Sequence, residues 1–113
     1  IVEIGFGNGE STWQMAKQEP EKNFIGIEVH EPGVGHLLMA LEAHGINNVR
    51  IACEDAVPFL QKRIADGSLA GVRIYFADPW PKKSLALLNW LTAKRNRSRM
   101  VWSWVFACVN MLF

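Results

Sequence analysis

Four short apolar runs recur along residues 1–77, and each is followed by a stretch with helical spacing. The runs are "IVEI" (1–4), "NFIGIEV" (23–29), "NVRIAC" (48–53) and "GVRIYFA" (71–77). They are nearly continuous in apolar character and rich in β-branched residues, which predicts strands covered on both faces. Between them, "ESTWQMAKQ" (10–18) predicts a helix closed by Pro20. A second helix opens at Pro32 and Gly33, with Val34, Leu37, Leu38 and Leu41 at i, i+3, i+4 and i+7, and Gly45 is placed to stop it. The third, "DAVPFLQKRIA" (55–65), sets Val57, Leu60 and Ile64 on one side, with Asp55 as N-cap and Pro58 in its first turn. "KSLALLNWLTAK" (83–94) predicts a fourth. Regular β-α alternation with short connections predicts one α/β domain: a doubly wound parallel sheet with right-handed crossovers and helices on both faces.

In such a sheet ligands bind outside the carboxyl ends of the strands. Here every predicted strand supplies a carboxylate there: Glu3, Glu28, Asp55 and Asp78. Strand one also leads into Gly5, Gly7 and Gly9, which permit a tight turn and close approach of a ligand to the backbone. The spacing is G-x-G-x-G, not the G-x-G-x-x-G of a dinucleotide fold, and Glu3 stands two residues before the first glycine. A carboxylate so placed repels pyrophosphate and attracts a cation, such as the sulfonium of S-adenosylmethionine. Alternatively, Glu3 is a buried acid satisfied by backbone amides. Glu28 is positioned to accept both ribose hydroxyls of a nucleoside cofactor, or else is a solvated acid. Asp55 is placed either to accept from an adenine amino group or to cap its helix, and the two roles are compatible.

The fourth strand ends in "FADPWPKK" (76–83). Pro79 and Pro81 hold the turn open and rigid, so Asp78 and Trp80 are presented instead of joining a ladder. A carboxylate matches the N1–H and N2–H₂ edge of guanine, and an indole offers a stacking face worth about 1–3 kcal/mol per base. Lys82 and Lys83 follow where a phosphate backbone would run. The plainer alternative is a rigid turn with Trp80 buried.

Composition narrows this picture. Half of the 113 residues are hydrophobic and a fifth are charged, an ordinary globular balance. The net charge of +1 hides a split: residues 1–55 carry nine acids and three bases, residues 56–113 two acids and nine bases. An acidic half suits a cationic ligand and a basic half suits phosphates. Cys53 and Cys108 form no C-x-x-C pair, which argues against a disulfide framework and fits a reducing cytoplasm. Cys53 reads as a small buried residue. His30, His36 and His44 have no ligand spacing, so no metal site is expected; His36 and His44 read as helix-surface residues. The apolar stretch "MVWSWVFACVNMLF" (100–113) is shorter than the ~20 residues of a membrane helix, and reads as a buried strand or a damaged tail.

"EIGFGNG" (3–9), "FIGIEVHEPGVG" (24–35) and "YFADPWPKK" (75–83) together resemble the bacterial tRNA (guanine-N7)-methyltransferases. The resemblance covers residues 1–83 and implies a Rossmann-like class I methyltransferase fold that uses S-adenosylmethionine and acts on tRNA. It implies contacts to the cofactor from Glu3, Gly5, Gly7, Glu28, Asp55 and Asp78. It makes Asp78 the expected catalytic residue, and Lys82 and Trp80 the expected substrate contacts. Residues 84–113 depart from the family's pattern: its His-containing basic run and its later guanine-holding elements are missing. The abrupt start at Ile1 and this tail lead to the expectation of a single partial domain, truncated or frameshifted, incomplete at both ends and inactive alone. Two other readings stay open: a non-catalytic cofactor- or RNA-binding remnant, and a nicotinamide-dependent dehydrogenase. The second fits the glycine spacing and Asp78-Pro-Trp less well.

Overall fold

Period-two alternation in the strands sorts the side chains into two layers. The computed structural model describes residues 1–75 and 101–105. Its order is β1 (Val2–Ile4), α1 (Glu10–Gln18), β2 (Phe24–Ile27), α2 (Glu31–Ala43), β3 (Val49–Ala52), α3 (Ala56–Arg63), β4 (Gly71–Tyr75) and β5 (Val101–Val105). Val2, Ile4, Ile27, Val72 and Ile74 point to one face and pack with Phe59 and Leu60 of α3. Phe24 and Val49 point to the other, with Ala16 of α1 and Leu37 and Leu41 of α2. Helices therefore cover both faces, and near-continuous apolar strands are the consequence.

Among the described residues the sheet runs β3-β2-β1-β4-β5, and every pair is parallel. The chain first steps outward from β1 to β2 and β3, then returns to place β4 on the other side of β1. The switch point thus lies between β1 and β4, which is where a doubly wound sheet opens a crevice at its carboxyl edge. The Rossmann-like expectation holds. Of the stretch 100–113, Val101–Val105 form strand β5, which pairs with β4 from Gly71↔Val101 to Tyr75↔Val105, and the rest lies outside the described residues. The expected helix over 83–94 lies outside the described residues.

One helical stripe differs from expectation. In α2 the buried seam is Gly33, Leu37 and Leu41, at i, i+4 and i+8, while Leu38 is 53% exposed. Val34, half-buried, packs against the same cluster, so the expected stripe holds at Val34, Leu37 and Leu41 and fails at Leu38 alone. In α3 the buried residues are Ala56, Phe59 and Leu60, and Ile64 caps the end instead of extending the helix. Asn48 closes the far end of α1, its side-chain amide donating to the carbonyls of Ala16, Glu19 and Lys22.

Urea denaturation checks this seam. Leu37→Ala should cost about 2–5 kcal/mol, as for a buried leucine that leaves a cavity. Leu38→Ala should stay within about 0.5 kcal/mol, as for a surface change. Equal losses at the two positions would contradict the seam.

Candidate functional site

The loop "GFGNG" between β1 and α1 turns so tightly that Gly5, Gly7 and Gly9 all have positive φ, at 72°, 65° and 79°. Gly5 stays tied to the sheet, its amide donating to the Ile27 carbonyl at 2.8 Å. At Gly9 a side chain is excluded twice over: by the left-handed backbone, and because a Cβ there would lie 2.6 Å from Leu37 Cδ1. Gly7 is exposed, with nothing within 4 Å of where a Cβ would be.

Glu28, one residue beyond β2, reaches across to this loop. Its Oε2 accepts from the Gly7 amide at 2.8 Å. Its Oε1 accepts from the amides of Val29 at 2.9 Å and His30 at 3.2 Å. A carboxylate has about four lone-pair sites, so three are used and one, on Oε2, remains. A single further donor, such as one of the two ribose hydroxyls expected there, can be accepted without releasing a backbone amide. Accepting both, as the sequence reading anticipates, requires releasing one of the backbone amides.

α2 closes on the loop from the same side. A Cβ on Gly33 would lie 2.0 Å from the Gly7 carbonyl oxygen, so only glycine allows this approach. Three residues on, His36 Nδ1–H donates to the Asn8 carbonyl at 3.1 Å. A carbonyl only accepts, which places the proton on Nδ1. His36 is therefore more than a surface residue, and so is His44, whose ring stacks on Trp13 of α1 at 3.9 Å between centroids. The sequence reading passed over Gly33 and His36 as site residues. Their signal was present in "HEPGVGH": a helix start with two glycines, where helix propensity disfavours glycine by roughly 1 kcal/mol each.

Beneath the loop, Glu3 points from the middle of β1 towards α1. Its side chain is 0% exposed. Oε1 accepts from the Thr12 hydroxyl at 2.8 Å, and Oε2 lies 3.7 Å from Arg73 Nη1 on β4 but makes no hydrogen bond. Glu3 is thus a buried acid, but not one satisfied by backbone amides: a hydroxyl meets one oxygen and the other has no hydrogen bond. Burial pushes this carboxyl above its ordinary value of 4.5, while Thr12 and then Arg73 pull it back.

Asp55 caps α3, its Oδ1 accepting from the Val57 amide at 3.2 Å. Cys53, expected to be buried, is exposed because it lies just past the last residue of β3. A cavity of about 430 Å³ runs along β3, lined by Ile25, Arg50, Cys53, Phe59 and Arg63. It does not include the glycine loop. Asp78, Trp80 and Lys82 lie outside the described residues. Glu3, Gly5, Gly7 and Glu28 are thus gathered at the adjoining carboxyl ends of β1 and β2. Among the described residues no group of three His, Cys, Asp or Glu could hold a metal ion, and no helix is long and apolar enough to cross a membrane.

Two glycines of α2 make an internal control. Gly35 has open space where a Cβ would be, so Gly35→Ala should stabilise by about 0.5–1 kcal/mol. Gly33→Ala must push the loop away and should destabilise by about 1–3 kcal/mol, as overpacking does. Thermal unfolding of both variants checks this, and a shift in the same direction for both would contradict the close approach.

Comparisons with known proteins agree with this arrangement. The model of a family described as "Putative methyltransferase" matches residues 1–86. The tRNA (guanine-N(7)-)-methyltransferase of Alkalilimnicola ehrlichii is 57% identical over 83 residues, 74% of this chain and 35% of that protein. The protein of that name from Cronobacter sakazakii is 48% identical over 100 residues, 88% of this chain, so its match reaches past residue 83. The chain spans about a third of the length of these relatives. Among solved structures, a SAM-dependent methyltransferase from Aquifex aeolicus superposes with TM-score 0.62 at 19% identity, over 83% of this chain and 49% of that one. PKMT2 from Rickettsia typhi in complex with AdoHcy gives TM-score 0.70 at 15% identity, over 84% of this chain and 18% of that one. The fold is that of the class I methyltransferases, and the chain belongs to the methyltransferase family whose model spans its first 86 residues.

Proposed function

We propose that this chain serves the transfer of a methyl group from S-adenosylmethionine to N7 of a guanine in tRNA, in the cytoplasm. The observation that carries the reading is the glycine loop held against Glu28 above a buried Glu3. Negative charge stands both beneath the loop and at its rim, where a dinucleotide site would need to receive pyrophosphate. That donor set suits a ligand with a sulfonium, an ammonium and a ribose. The relatives' names favour the same reading, and favour it over a nicotinamide enzyme or a non-catalytic remnant.

In this reading Gly5 and Gly7 keep the loop free of side chains, Glu28 accepts from the ribose, and Glu3 acts from below through its charge. Asp55 caps its helix and has Oδ2 left for an adenine amino group. When bound, S-adenosylmethionine supplies an electrophilic methyl group. Guanine N7 has a lone pair and no proton, so no general base is needed. Receipt of that methyl group would leave the purine cationic. Catalysis then rests on in-line positioning and on charge placed to meet that cation. Asp78 is assigned that task by its place in the family's motif, with Trp80 stacking on the base and Lys82 meeting phosphate.

Two measurements test the proposal. By calorimetry, S-adenosylmethionine should bind this chain and NADH should not, and Glu28→Gln should weaken binding about ten-fold, the equivalent of ~1.4 kcal/mol. In a full-length relative that carries an aspartate where this chain has Asp78, its change to asparagine should slow methyl transfer to unmodified tRNA by about 10²-fold, with little change in tRNA affinity. Preference for NADH, or an asparagine variant of full activity, would overturn the reading.

A further inference from the structure

Glu3 and Arg73 are partners in the register of β1 and β4, so their side chains leave the sheet on the same face, directly at the switch point. On that face Glu3 has Gly26 as its neighbour on β2 and Arg73 as its neighbour on β4. Gly26 offers no side chain and is closely approached by Phe6. From α1, Thr12 donates its hydroxyl to Glu3, and Met15 Sδ accepts from Arg73 Nη1. Arg73 is thus the one cation facing Glu3 among the described residues, and it is itself 13% exposed. A fully buried carboxylate beside an apolar cluster is costly unless its charge is met. At 3.7 Å and without a hydrogen bond between them, Arg73 meets that charge through space, leaving Oε2 unclaimed by any donor.

We propose that Arg73 is a positioning residue, whose guanidinium compensates Glu3 so that a negative charge can be kept buried directly beneath the glycine loop. This deepens the methyl-donor reading and rests on it: Arg73, together with Thr12, favours the ionised Glu3 that a cation above the loop would meet. Even with Arg73 and Thr12 in place, the protonated form of Glu3 is favoured more in the folded chain than in the unfolded one. Its folded carboxyl lies above the ordinary 4.5, so that contribution is present below 4.5 and is lost as pH rises through the raised value. Removing Arg73 raises the folded value further and stretches this window towards neutral pH.

The test follows the Glu3 carboxyl carbon by NMR through a pH titration of this chain, with no cofactor present. Arg73→Met should move the titration midpoint upward, and Arg73→Lys should return it most of the way. The stability of Arg73→Met relative to the parent should fall as pH rises from about 4.5. A purely structural role would lower stability equally at all pH values and leave the midpoint unmoved; that result overturns the proposal. Thr12→Val, which removes only the hydroxyl, provides a second upward shift if Arg73→Met does not fold, and no shift there counts against the network. With S-adenosylmethionine added, affinity for Arg73→Met should fall steeply below the new midpoint, whereas the parent should hold its affinity there. If the parent binds no S-adenosylmethionine at all, the methyl-donor reading fails, while the cofactor-free titration still decides whether Arg73 sets the charge on Glu3.

Discussion

A single carboxylate, that of Glu28, fastens the carboxyl end of β2 to the glycine loop that follows β1. It does so by accepting the Gly7 amide together with two amides of its own turn. Charge-assisted bonds of this kind are roughly twice as strong as neutral ones, and here they hold a loop with three positive-φ residues that has few side chains of its own to pack. The other contacts are arranged around this bond. Gly33 sets α2 against the Gly7 carbonyl, His36 donates to Asn8, and Leu37 fills the space over Gly9. The blocks "EIGFGNG" and "GIEVHEPGVG" are therefore two halves of one clasp, which explains why both are needed in one chain.

The clasp also limits what the site can hold. Glu28 contributes charge at the rim and Glu3 contributes it underneath, separated by the loop itself. Glu3 is enclosed by Thr12 and Arg73, so in the proposed function it would act on a ligand only through its field, and burial opposes the ionisation which that field needs. A buried charge is usually a poor source of stability. Keeping one at the switch point of the sheet accords with a use that lies in binding a cation and not in folding.

Much of this was legible in the chain. Near-continuous apolar runs gave the strands to within one or two residues, because strands covered on both faces leave little room for polar residues. Asp55 was legible as a cap because a short acidic side chain before a helix satisfies a free amide. Glu28 was legible as an acid at a strand end, but its hold on Gly7 was not, since that bond joins residues 21 apart. The exposure of Leu38 was missed because helical spacing alone cannot report how wide a face of the helix its neighbours cover. Arg73 was hidden inside a strand pattern: only the β1–β4 register, a property of the topology, sets it beside Glu3.

The most direct measurement is native-state hydrogen exchange at the Gly7 amide. Gly7 is exposed and sits in a loop, so accessibility alone would have its amide exchange freely. The clasp predicts protection comparable to that of Gly5, whose amide is bonded to Ile27 in the sheet, and predicts that Glu28→Gln removes most of it while Gly5 keeps its own. A Gly7 amide that exchanges at the rate of an unstructured chain in the parent protein would contradict the account.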